Sequence, residues 1–182
     1  MPLKRRWKRP LISSKDSTSD SPCSPASEKG LYSLGLKLLA RRPFSVHELT
    51  LKLSDHEPDP LGVSRTVGRL LSEGYLDDRK YIESFLHSRE RKCEGFARMS
   101  HELRSRGVSG ELIQETLRKF YPLEQERETL HQAFLKKART ILPPMDEKKL
   151  SRLYNHLLRK GFRDEDIRRE FRAYVKNPDE QL

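Results

Sequence analysis

The sequence predicts an all-α protein laid out as an elongated tandem array of small helical units, on three observations. Leucine dominates the apolar residues, with 27 Leu against 10 Val plus Ile, and β-branched residues are the ones a pleated sheet favours. No segment sustains the period-2 alternation of a half-buried strand. The pattern of helix faces also repeats along the chain. Of 182 residues, 34% are hydrophobic and 35% charged, against about 25% charged in an ordinary globular chain. One thick core cannot be filled, so small units with wide solvated surfaces are expected.

Residues 1–29 are serine- and proline-rich, with seven basic against three acidic residues, and are expected to form a disordered basic tail. The tail has no apolar stretch of the kind a secretory signal needs. From Leu31 the pattern changes: Leu31, Leu34 and Leu38 share one helix face, which Pro43 ends. Ser45-Val46-His47-Glu48 is a capping box opening a helix that buries Leu49 and Leu53. A loop over Ser54 to Gly62, containing Pro58 and Pro60, leads to a helix with Val63, Val67, Leu70 and Leu71, closed by Gly74.

Asp77 or Asp78 can cap the next helix, which carries Ile82, Phe85 and Leu86 and runs on through Cys93 to Gly95. Phe96, Met99 and Leu103 form a short helix stopped by Gly107. Ser109 caps another with Ile113, Leu117 and Phe120 inward. A long stripe of Leu123, Arg127, Leu130, Phe134, Lys137 and Ile141 reaches Pro143-Pro144. Asp146 starts a helix with Leu150, Leu153 and Leu157, Gly161 stops it, and Asp164 caps a last helix burying Ile167, Phe171 and Val175.

At a constant offset of 54 residues, Leu103 falls on Leu157, Gly107 on Gly161, Glu111 on Glu165, Ile113 on Ile167 and Leu117 on Phe171. The stretch around Leu53, Gly62, Val67 and Leu71 fits the same template if about four residues centred on Glu57-Pro58-Asp59-Pro60 are an insertion. The expected units are 30–76, 77–122 and 123–177, with a short tail at 178–182. Units this small should stack on their neighbours.

Several chemistries lack support. Neither His101-Glu102 nor His47-Glu48 is followed by a histidine at zinc spacing, and there is no phosphate-cradling glycine loop. Asp77-Asp78 and Asp164-Glu165-Asp166 precede apolar periodic runs and read as caps. No enzyme, metal or cofactor is expected. No apolar run reaches the roughly 18–20 residues that cross a bilayer, and two cysteines, Cys23 and Cys93, point to a reducing, cytoplasmic setting.

The formal charge of +10 implies a polyanionic partner. Its excess is spread as +4, +3 and +3 over residues 1–29, 30–121 and 122–182. Basic residues fall on helix faces away from the leucines: Arg41 and Arg42, Arg65 and Arg69, Arg89 with Lys92 and Arg98, Arg104 and Arg106, Lys136 and Lys137, Arg152 and Arg159, and Arg169 with Arg172. Any single one could be a solvated helix surface. Repetition on equivalent units favours a long anionic track. The few aromatic residues fall on core spacing, which counts against reading of unstacked bases.

Leu39 to Leu53, Leu70 to Arg89, Lys92 to Val108 and Leu157 to Ile167 resemble the RecX family of regulators of the RecA recombinase. The most specific part is Gly74-Tyr75-Leu76-Asp77-Asp78 followed by Tyr81, Phe85 and Arg89. The match covers residues 31–176. It departs from the family in its acidic Asp77-Asp78 pair, where a Leu-Asn-Asp run is common, and in its basic tail. The resemblance implies three tandem three-helix units and a non-enzymatic, monomeric protein that lies in the groove of the RecA filament. It would limit strand exchange and ATP hydrolysis and touch single- and double-stranded DNA non-specifically.

The contact residues expected are Arg41, Arg42, Arg89, Lys92, Arg98, Arg104, Arg106, Arg152, Arg159, Arg169 and Arg172. Reversing Arg89, Lys92 and Arg98 is expected to weaken binding without unfolding the chain. The alternative is a winged-helix transcriptional regulator with its recognition helix at Val63 to Leu71, which requires a β-hairpin after Leu76.

Overall fold

The computed structural model describes residues 25–141 and 146–176, and these are helical with no strand among them. The helices are α1 (Pro25–Leu39), α2 (Val46–Ser54), α3 (Pro60–Ser72), α4 (Asp78–Arg89), α5 (Phe96–Ser105), α6 (Gly110–Phe120), α7 (Leu123–Ala138), α8 (Glu147–Arg159) and α9 (Asp164–Lys176). Every pair of α-helices in extensive contact lies within α1–α3, α4–α6 or α7–α9. Three separate apolar cores match those groups. They are built around Leu49, Leu53 and Leu70, around Ile82, Leu103 and Ile113, and around Phe134, Leu153 and Leu157. Among the described residues, polar contacts join successive units, as in a solenoid.

Several boundaries differ from the sequence reading. Residues 25–29, assigned there to the tail, are the first turn of α1, where Glu28 pairs with Arg65 of α3 at 3.2 Å. The remainder of that tail, residues 1–24, lies outside the described residues, as do Pro143-Pro144 and the side chain of Val175. Helix α3 starts at Pro60, because a proline at the first helical position sacrifices no hydrogen bond and the Asp59 carboxylate accepts from the Leu61 and Gly62 N–H groups at 3.0 Å. Helix α4 stops at Arg89. One 3₁₀ turn follows, and Cys93 then adopts a left-handed φ of +48°. Leu71, Phe120 and Leu123, placed inward by spacing, are 42%, 45% and 50% exposed. All three sit at helix ends, where the neighbouring helix no longer covers them.

With α3 starting at Pro60, the first two units superpose at a constant offset of 50 and need no insertion. Leu49 corresponds to Met99 and Leu153, Leu53 to Leu103 and Leu157, and Val63 to Ile113 and Ile167, all of them buried. Gly62, matched to Gly107 by the sequence reading, is instead a buried residue inside α3.

The same joint is built twice. The turn after α5 docks on the start of α2, where the Ser45 hydroxyl donates to the Arg106 carbonyl at 2.6 Å. The turn after α8 docks on the start of α5, where the Gly95 N–H donates to the Lys160 carbonyl at 2.8 Å. Each joint has a second contact: Asp78 accepts from the Val46 N–H at 2.9 Å and Glu126 from the Phe96 N–H at 3.0 Å. A carboxylate opening one unit thus satisfies an amide that the preceding unit's second helix leaves unpaired. The capping of α4 that spacing gave to either aspartate falls to Asp77, which accepts from Arg79 N–H at 2.8 Å.

Burial holds the Asp78 carboxyl above the ordinary range, with the Val46 N–H opposing and Asp77 adding to the rise. A raised folded pKa favours the protonated form on folding. The stability this gives is full below the ordinary carboxyl range and is lost as pH rises through the raised value. Asp78→Asn keeps an oxygen for Val46 and removes the charge. It should stabilise the chain at pH 7 by at most about 1 kcal/mol, a gain that disappears at pH 3. Urea unfolding at the two pH values measures it, and a loss at pH 7 would show that the charge itself holds the joint.

Candidate nucleic-acid interface

The eleven basic residues singled out by spacing fall into three settings. Two are built into the second unit. Arg89 is 14% exposed and pairs with Glu94 at 3.3 Å and with Glu102. Arg106 pairs with the same Glu102 at 2.6 Å and donates to the Tyr81 hydroxyl at 2.7 Å. Both guanidinium groups lie over the Phe85 ring. Their charge is neutralised inside the protein, so they are not free to grip a polymer. Arg98 is intermediate: half exposed, it pairs with Glu94 at 3.1 Å and donates across the joint to the Arg159 carbonyl at 3.1 Å.

A second set is exposed but engaged along the chain. Arg42 stacks on Phe44 at 3.6 Å and pairs with Glu48 at 3.4 Å. Arg169 pairs with Asp166 one turn earlier at 3.3 Å, and Arg172 donates to the Arg168 carbonyl at 3.3 Å. Surface pairs of this kind stabilise little and can be exchanged for an outside anion.

The third set, Arg41, Lys92, Arg104, Arg152 and Arg159, is exposed with no carboxylate partner among the described residues. These cations lie on all three units. Arg41 and Arg42 line a shallow recess of about 370 Å³ at the first joint, together with Lys80, Tyr75 and Tyr81. Tyr75 is 59% exposed. Spacing overlooked Tyr75 and Lys80 because they flank the start of α4, and only the fold brings them beside Arg41. Ring faces next to guanidinium groups suit a nucleotide base as well as a phosphate.

No group of histidine, cysteine and carboxylate side chains suited to a metal occurs among the described residues, and no described helix is long and apolar enough to cross a membrane.

Residues 77–117 match the family model described as RecX, second three-helix domain, and residues 124–170 that of RecX, third three-helix domain. Among curated proteins, "Regulatory protein RecX" of Halorhodospira halophila is 32% identical over 145 residues, covering 79% of this chain and 87% of that protein. Its counterpart in Leptothrix cholodnii is 31% identical over 137 residues, covering 75% and 84%. Among solved structures, RecX from Lactobacillus salivarius superposes with a TM-score of 0.73 over 81% of this chain and 96% of that one. At 18% identity that likeness speaks for the fold alone. Matched units, repeated joints and relatives of nearly full length agree, and the chain belongs to the RecX family.

Proposed function

We propose that this protein restrains a RecA-type recombinase by lying in the groove of its filament on DNA. It limits strand exchange and ATP hydrolysis without itself catalysing a reaction, and it does so as a cytoplasmic monomer. The relatives' description as regulatory proteins supports the reading. The observation that carries it is the repeated joint, which docks each unit on the one before it and so links partner-free cations on all three, Arg41 on the first, Lys92 and Arg104 on the second, and Arg152 and Arg159 on the third. A polymer with regular negative charge is the ligand that cations repeated on linked units suit, and contacts made mostly to phosphates bring no sequence preference. An occupied groove excludes an incoming duplex, which accounts for restraint with no active site.

The winged-helix alternative needs a β-hairpin after Leu76. There the chain forms helix α4 instead, and no observation favours that reading.

Strand exchange and ATP hydrolysis by recombinase filaments, followed while the purified protein is titrated in, test the proposal. Both rates should fall at stoichiometric amounts, and unchanged rates would refute it. Reversing Arg41, Arg104 and Arg152 together should leave thermal unfolding within a few degrees of wild type. The salt slope of DNA binding should drop by about 2–3 log units per decade. An unaltered slope would remove these residues from the interface.

A further inference from the structure

Aligning the helices of the second and third units by their sequence offsets pairs a cation cluster that has a counterion with one that has none. In the second unit, Arg89 and Arg106 converge on Glu102 beneath Phe85. At the first-helix offset of 48, which carries Asp78 onto Glu126 and Ile82 onto Leu130, Arg89 becomes Lys137 and Phe85 becomes Ala133. At the second-helix offset of 54, Arg106 becomes Lys160 and Glu102 becomes His156. Both cations are kept, while the carboxylate and the covering ring are gone. Beside these positions is an open recess of about 180 Å³ lined by Lys92, Lys136, Lys137, His156 and Lys160 together with Ala133 and Cys93. This is several times the roughly 30 Å³ share of one water.

We propose that this recess is an oxyanion site that takes one backbone phosphate of a nucleic acid, in the place where the preceding unit keeps its own Glu102. The assignment rests on the nucleic-acid reading above and gives it a definite location. Four lysines from two units line the recess, and Lys160 is fixed by donating to the Lys92 carbonyl across the joint. A phosphate bound here would bridge the second and third units and tighten the joint.

The positive charge around His156 suits an anion. Its imidazole is held below the ordinary value, by burial first and then by Lys137, Lys160 and Arg159. The other titratable groups facing the recess are Lys92, Lys136 and Cys93, and no carboxylate lines it. A bound anion reverses that balance and raises the histidine's affinity for a proton.

The test uses the full chain without recombinase. The His156 ring resonances are followed against pH, with and without a ten-residue thymidine oligonucleotide. The oligonucleotide should raise the His156 pKa. His156→Glu supplies the missing carboxylate from within and should weaken oligonucleotide binding about fivefold at 0.1 M salt, the share of one phosphate contact on a single strand. The same variant should unfold at a temperature no lower than wild type, which separates a filled site from a broken fold. The paired change Lys137→Gln with Lys160→Gln should also abolish the pKa response.

An oligonucleotide that leaves His156 unmoved while His156→Glu binds like wild type overturns the proposal. A response to inorganic phosphate alone, or only to DNA-free recombinase, overturns it too, in favour of a free anion or an acidic protein surface. A normal His156 response in a protein that leaves strand exchange untouched would instead sink the filament reading and keep the phosphate site.

Discussion

Truncating Arg89 to alanine is expected to destabilise the second unit by about 3 kcal/mol, the lower end of what removing one partner of a buried ion pair costs. The side chain reaches two carboxylates from a setting only 14% exposed, and Glu94 beside it is 6% exposed. Removing the guanidinium leaves Glu94 to Arg98 and Glu102 to Arg106. That remaining pairing keeps the loss from reaching about 5 kcal/mol. Arg89→Glu is worse, because it sets a third carboxylate among two. The expectation that Arg89, Lys92 and Arg98 can be reversed together without unfolding therefore divides. Lys92→Glu should change stability by less than about 0.5 kcal/mol, whereas any variant carrying Arg89→Glu should lose the second unit. Urea unfolding combined with amide exchange in α4–α6 measures both. An Arg89→Ala protein as stable as wild type, but deficient on DNA, would return this residue to the interface.

That division marks the limit of what spacing can disclose. Periodicity locates the buried faces, since Leu49, Leu53, Leu103, Ile113, Leu117, Leu153, Leu157 and Ile167 are all fully covered. Short-range chemistry locates the caps: Ser45 and Glu48 bond reciprocally, and Ser109 and Asp146 each accept from an amide three residues on. Both signals act within a turn or two of helix. Whether an arginine on α4 meets solvent or a glutamate on α5 depends on how two helices cross, and neither helix's own pattern records that. The expected insertion fails for a related reason. Glycine marks the turn at Gly107 and Gly161 but not at Gly62, where Asp59 and Pro60 already define the start of the helix. Among the described residues no other unit docks on the turn between α2 and α3, and Pro58 there is exposed where Val108 and Phe162 are buried. Nothing constrains that turn to resemble its two counterparts.

The second large effect is expected at Gly161. Its φ of +85° is left-handed, which for an alanine costs roughly 1–2 kcal/mol. The added Cβ would also stand 2.4 Å from the Arg98 backbone nitrogen and 2.6 Å from its Cβ. Helix α5 cannot retreat without abandoning the Gly95-to-Lys160 and Ala97-to-Gly161 hydrogen bonds. Overpacking of this kind adds about 1–3 kcal/mol, so Gly161→Ala should weaken the second joint by about 3 kcal/mol. At the first joint the corresponding Cβ on Gly107 would meet the side chain of His47. The nearest atom there is the His47 Cβ at 2.3 Å, which no side-chain rotation removes, so Gly107→Ala should weaken the first joint about as much as Gly161→Ala weakens the second. The substitution at Gly161 has a functional reading, because it alters no charge. If restraint of the filament depends on a continuous rigid row of cations, undocking α7–α9 should weaken filament binding by up to about 100-fold, at 1.4 kcal/mol per factor of ten. The salt slope should fall by no more than the third unit's own contacts. Amide exchange should then quicken in α7–α9 and not in α1–α3. A Gly161→Ala protein with quickened exchange but undiminished restraint would mean that the units act as beads on a string, and that alignment across the joint is not what the filament reads.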